Sequence, residues 1–138
     1  MSSVGITQFN IQMGDELTQN VQPLLHEIRH ALAALLESGK TSSIDLRSIP
    51  LAPGEEEAII EALGKGEINA RLEALGPSDI YETRFAGVWL TSHYNEDHMI
   101  VSRFIEITEL PAILRSQRED MATALETLNE ELQKQATS

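Results

Sequence analysis

Hydrophobic positions fall into a regular beat at residue 21. Val21, Leu24, Leu25, Ile28, Leu32, Leu35 and Leu36 recur at intervals of three and four, which predicts an amphipathic helix over Val21–Ser38 with Gly39 as its C-terminal stop. The twenty residues before it are polar and read as a flexible tail, leaving 21–138 as a single domain. Ser43–Arg47 leans towards strand, with Ile44 and Leu46 on one side. Pro50 and Pro53 make Ile49–Gly54 a rigid connector. Glu55, Glu56 and Glu57 then open a second helix, where acids complement the partial positive charge of a helix start. Its core face is Ile59, Ile60 and Leu63, and Gly64 and Gly66 end it.

The period then changes from helical to alternating. Ile68, Ala70, Leu72 and Ala74 face one way and Glu67, Asn69, Arg71 and Glu73 the other, the pattern of a half-buried strand. Gly76-Pro77-Ser78 turns into a second strand over Asp79–Phe85. Ala86-Gly87 links to a third over Val88–Tyr94, and Asn95-Glu96-Asp97 to a fourth over Met99–Thr108. Links this short imply antiparallel neighbours, hence a meander. After Pro111, Ser116-x-x-Glu119 reads as a capping box for a final helix. Its stripe of Leu114, Met121, Leu125, Leu128 and Leu132 is expected to dock on the sheet, with pairing to a second copy as the alternative. The order α-β-α-β-β-β-β-α predicts a two-layer α+β fold: an antiparallel meander of four to five strands with helices on one face.

Composition narrows the partners. The 138 residues carry 22 acids against 10 bases, a net charge of -12. That argues against nonspecific binding to nucleic acid or anionic membrane, both of which need a basic surface. No apolar run approaches the ~20 residues of a bilayer span. Met1–Gln12 has neither the basic region nor the apolar core of a secretory signal. The absence of cysteine removes disulfides and thiolate chemistry and fits a reducing compartment, so a cytoplasmic location is expected. The charge is uneven: residues 54–110 hold 12 acids against 4 bases, a local -8. A partner there would present basic or polar surface; the plainer reading is a solvated, solubilising face.

One motif invites a catalytic reading. His26-Glu27-Ile28-Arg29-His30 is a literal H-E-x-x-H, in which two histidines one helical turn apart can ligate zinc and the glutamate can deprotonate a bound water. Helix geometry opposes it. With the leucine stripe near ~0°, His26 falls at ~140° and His30 at ~180°, on the solvent side and without a recognisably spaced third ligand. A zinc-dependent hydrolase centred on His26, Glu27 and His30 is therefore the minority reading. His93-Tyr94-Asn95-Glu96-Asp97-His98 straddles a hairpin turn, where polar residues belong anyway. No glycine-rich phosphate loop and no G-x-S-x-G occur, so no catalytic residue, metal or cofactor is assigned.

What remains is surface. Tyr81–Tyr94 holds four of the six aromatics, including Trp89, the only tryptophan. A sheet covered by helices on one side can leave the other open, and aromatics with arginine there would make a protein-binding patch. Equally, the aromatics fill the core.

Four runs carry a family likeness: Ile44-Asp-Leu-Arg-Ser-Ile-Pro-Leu-Ala-Pro-Gly54, Leu63-Gly-Lys-Gly-Glu-Ile-Asn-Ala70, Glu82-Thr-Arg-Phe-Ala-Gly-Val-Trp89 and Phe104-Ile-Glu-Ile-Thr-Glu-Leu-Pro111. Together, spread through residues 24 to 120, they resemble the HupH/HyaF hydrogenase expression/formation proteins, as a single C-terminal-type module. The resemblance implies an accessory role in maturing uptake nickel–iron hydrogenase: chaperone-like binding of the small-subunit precursor, with other maturation factors as further partners. It implies no catalytic residues and no cofactor on this chain. It points to Asp45, Arg47, Glu82, Arg84, Phe85 and Trp89 as an interaction surface or as its support, and the aromatic patch adds Tyr81. Besides the hydrolase, the third reading is a self-associating adaptor, a homodimer through the Leu114–Leu132 stripe.

Overall fold

A computed structural model describes residues 19–137. The tail expected over 1–20 lies outside these residues except for Gln19 and Asn20, which form a turn leading into helix α1 (Val21–Ser38). The remaining elements follow in the expected order. They are strand β1 (Ser42–Asp45), a 3-10 turn (Leu46–Ser48), helix α2 (Glu55–Leu63), and strands β2 (Asn69–Leu72), β3 (Ser78–Glu82), β4 (Val88–Tyr94) and β5 (Ile100–Ile107). A second 3-10 turn (Ala112–Leu114) precedes helix α3 (Arg118–Thr137). The fold is α+β, with a five-stranded antiparallel sheet ordered β1-β5-β4-β3-β2.

Register explains how the sheet divides its side chains. Ile44, Ile105, Leu90 and Tyr81 lie opposite one another across four strands, and residues in such a row share a face. On that face α1 contributes Val21, Leu24 and Ile28 and α2 contributes Ala58, Ile59 and Leu63, closing the core over Val88, Leu90, Ile105 and Ile107. The α1 stripe follows from its three-and-four spacing, and Gly39 ends the helix in the left-handed region at φ 76° with its N–H on the Leu35 carbonyl.

Glu55 joins the two core helices at their starts. Its side chain is fully buried (0 % exposed), yet every bond it needs is made. One oxygen accepts from the Asn20 N–H (2.9 Å); the other accepts from the Asn20 side-chain amide (2.9 Å) and the Ala52 N–H (2.7 Å). Asn20 is the N-cap of α1, so one carboxylate holds the entry to both helices. Burial pushes the Glu55 carboxyl up, but the hydrogen bonds from the Asn20 amide, Ala52 and the Asn20 backbone outweigh it and hold its pKa below the ordinary value of 4.5.

Two expectations fail here. Residues 67–74 do not form a half-buried strand: β2 is a four-residue edge strand, with Ile68 52 % exposed and Leu72 exposed beside it, because nothing packs over its side chains. The α3 stripe does not dock on the sheet. No α3 residue is buried, and the helix begins at Arg118, two residues after the expected cap at Ser116. A stripe reports that an apolar face exists, and the sequence alone does not say what it meets.

Glu55→Ala should lower stability by about 1–3 kcal/mol, since three donors lose a buried acceptor. The sign with pH follows from the lowered pKa. The carboxylate's contribution is complete above the unfolded-state value and is lost as pH falls through the folded one. Urea midpoints of wild type and Glu55→Gln should therefore be well separated at neutral pH and converge below about pH 4.5. A separation that persists unchanged in acid would contradict the assignment.

Candidate functional site

The residues expected to form an interaction surface divide into supports and groove walls. Asp45 caps the first 3-10 turn, its Oδ1 accepting from the Arg47 N–H at 3.0 Å. Glu82 accepts from the Gly87 N–H (3.0 Å), and Thr83 Oγ1 donates to the Val88 carbonyl (2.8 Å), which fixes the turn between β3 and β4. That turn needs Gly87, whose φ of 87° is disfavoured for any residue with a Cβ. Arg84 then reaches the C-terminus of α2. Its N–H donates to the Leu63 carbonyl (3.1 Å) and its Nε to the Ala62 carbonyl (3.3 Å), a cation at the negative end of the helix. The same guanidinium stacks 4.6 Å from the centre of the Phe85 ring.

Trp89 lies on the face away from α1 and α2, where the sequence leaves an open aromatic patch and a filled core as equal readings. That face is closed at its centre: Ile80 and Thr91 are fully buried and Trp89 is 2 % exposed, with its indole N–H donating to the Thr108 carbonyl at 3.1 Å. Thr91 donates to Glu106 (2.8 Å), and Ser78 pairs with His93 Nδ1 (2.7 Å). Trp89 is thus core on this geometry.

The open aromatic and arginine surface exists on the helical side, beyond the end of α2. A polar groove of about 520 Å³ runs over the uncovered half of the sheet between Ile60, Lys65, Arg71, Tyr81, Tyr94 and Arg103. Its floor follows from register, because Asp79, Ser92 and Arg103 form one cross-strand row and Tyr81 and Leu90 the next. Arg103 is held by two partners: Nη1 pairs with Glu56 (3.0 Å) and Nε donates to Ser92 (3.1 Å). Glu56 also meets Arg47 at 3.4 Å, which brings Arg47 to the margin of this network. Lys65 sits 4.9 Å above the Tyr81 ring. Arg71 bridges Asp79 (2.8 Å) and Glu73 (2.9 Å) on the surface; Asp79 above all raises its pKa.

β2 forms one wall and is an edge of the sheet. Since the Glu82 N–H donates inward to Ile68 (2.9 Å), antiparallel alternation turns the backbone groups of Asn69 and Arg71 outward. The groove therefore offers both side-chain chemistry and a strand edge.

A second, apolar groove of about 270 Å³ lies along α1, walled by Leu25, Ile28, Leu32, Phe85 and Val88, with His26 and Arg29 at its rim. It takes Phe85 away from Tyr81: the two grooves share no lining residue. His26 and His30 are both exposed, and among the described residues no group of three histidine or acidic side chains is placed to hold a metal ion. Lys65, Tyr94 and Arg103 were absent from the sequence-based set. Only register could have found them, since Arg103 shares the face of Ile105 and Ile107 while reading as one more charge in a strand.

Comparison with known proteins now decides the family. Residues 18–135 match the family model for the HupH hydrogenase expression protein, C-terminal conserved region. The chain belongs to the HupH family. A solved HupH hydrogenase expression protein from Thiobacillus denitrificans superposes with a TM-score of 0.80 at 39 % identity, covering 83 % of this chain and 96 % of that one. The hydrogenase expression/formation protein HupH of Rhizobium leguminosarum bv. viciae is 25 % identical over 101 residues, 73 % of this chain and 36 % of its own length. HoxQ of Cupriavidus necator, also a hydrogenase expression/formation protein, is 23 % identical over 130 residues, 93 % of this chain and 46 % of its own. The HupH-family chain thus spans less than half the length of these two relatives. The family match covers both grooves and all but the last two residues of α3.

The groove makes a titration prediction. Burial pushes the Tyr81 phenol above its ordinary value of 10.0, Arg103 pulls it down, and Tyr94 adds an upward push. With only two tyrosines in the chain, absorbance titration should show one ionising late. Arg103→Met should delay it further by removing the cation, whereas an earlier ionisation would contradict this geometry.

Proposed function

We propose that this HupH-family chain is an accessory factor for hydrogenase maturation that binds the hydrogenase small-subunit precursor as a chaperone-like partner through the polar groove. The observation that carries the reading is the union of a strand edge with a groove lined by Tyr81, Tyr94, Lys65 and Arg103. Strand addition along Asn69–Leu72 would supply main-chain hydrogen bonds without demanding a particular sequence. Alternate side chains of the added segment would then meet the tyrosines and the Arg103–Glu56 pair, which select for polar and aromatic partners.

The local -8 of residues 54–110 lies mostly outside the groove, whose lining carries Lys65, Arg71 and Arg103 against Asp79, so the reading calls for an extended segment of polar character. Asp45, Glu82, Arg84 and Trp89 serve this surface from behind through the bonds described above, while Arg47 and Tyr81 border it. Other maturation factors would join through the same family role, in the cytoplasm where precursors are completed. No step of this reading calls for a catalytic residue or a cofactor on this chain.

Co-expression with a complete hydrogenase operon tests it. Tagged wild type should retain the small-subunit precursor. Tyr81→Ala and Arg103→Ala should each reduce retention by at least about fivefold, the size expected of a contact worth more than 1 kcal/mol, with melting temperatures checked for folding. Wild type that retains no precursor would sink the proposal.

A further inference from the structure

The apolar groove of α1 and the stripe of α3 are two complementary surfaces left uncovered by the described residues. Along α3, Met121, Leu125, Leu128 and Leu132 are spaced 4, 3 and 4, and each is more than half exposed. Such a stripe on a regular helix is the apolar face of a helix-in-groove contact.

We propose that α3 of one copy seats this stripe in the α1–Phe85 groove of a second copy, and receives the second copy's α3 in return, giving a two-fold dimer. Dimensions agree. Met121 to Leu132 spans about 16 Å of helix, and the groove wall from Gln22 to Leu32 runs about 15 Å along α1. Charge agrees as well. Helix α3 carries Glu119, Asp120, Glu126, Glu130 and Glu131 against Arg118 and Lys134, whereas the groove rim carries Arg29 and His26. Glu27, the nearest acid on α1, lies about 160° round the helix from Arg29 and outside the groove.

Direct pairing of two α3 helices is the weaker arrangement. The stripe covers about two heptads, short of the three or four a coiled coil needs, and it would bring two acidic helices together. Reciprocal exchange covers both surfaces on both copies, and a two-fold contact of this kind closes on itself. Self-association through the apolar groove leaves the polar groove untouched, so it stands independently of precursor binding.

The mass of the full chain in solution, measured by sedimentation across a wide concentration range, tests this. Wild type should be a dimer. Leu125→Glu/Leu128→Glu should be monomeric, and so should Leu32→Glu on the groove wall, with its melting temperature checked because Leu32 also packs against the core. Arg29→Glu, at an exposed position, should weaken the dimer several-fold without loss of folding. The discriminating arm mixes the first two variants. Each keeps one intact surface, so together they should form a heterodimer through a single contact, which neither forms alone. Three results would each overturn the proposal: wild type monomeric throughout, Leu32→Glu as dimeric as wild type (which would indicate α3–α3 pairing), or Arg29→Glu without effect.

Discussion

The fold hangs on the carboxylate of Glu55. A charge without water is costly unless hydrogen bonds replace its hydration, and here the replacements come from two places far apart in sequence. Asn20 belongs to the entry of α1 and Ala52 to the connector before α2. Satisfying one carboxylate therefore fixes where both helices begin. From those starts the apolar faces of the helices cover one half of the sheet, and the uncovered half becomes the polar groove. Neighbouring Glu56 extends the arrangement sideways through Arg103 and Arg47. Two adjacent glutamates thus do different work: one closes the helical layer and the next orders the groove floor.

Elements with a strong period were legible before the structure. Helix α1 and strand β4 begin and end where the pattern places them, because a three-and-four leucine stripe and a run bounded by Gly87 and Asn95 leave little freedom. Strand β2 departs from its pattern for an equally physical reason. Alternation shows that a segment can offer an apolar face, but Ile68 and Leu72 have nothing above them at the sheet edge. Helix-start electrostatics accounts for the triple glutamate at 55–57 in kind, but does not show that the first of the three is buried. No local signal marks that burial, since its partner Asn20 lies 35 residues away.

The candidate site was half legible. The family-like runs marked Glu82-Thr83-Arg84-Phe85 and Trp89, and these build the β3–β4 turn and the C-terminal cap of α2. They are chiefly scaffold. The groove they support draws on Lys65, Tyr94 and Arg103, which come together only when β3, β4 and β5 align. The H-E-x-x-H run shows why a short motif needs its fold. A five-residue pattern carries a chemistry only if the fold supplies a third ligand and shelter, and here His26 borders an apolar groove while His30 faces water.

The pairing of β1 with β5 has a consequence for how this chain is made. Ile44 meets Ile105 across 61 residues, whereas β2 to β5 join through short links. Closing that long loop is the costlier step in entropy, so the local meander is the natural first structure and β1 its late addition. During synthesis the order of emergence runs the other way. Helix α1 and strand β1 leave the ribosome before β2 to β5 and have no sheet to join until residue 107 follows. Until then the leucines of α1 are uncovered, and the chain passes through a stage with its core stripe open to solvent and to other chains.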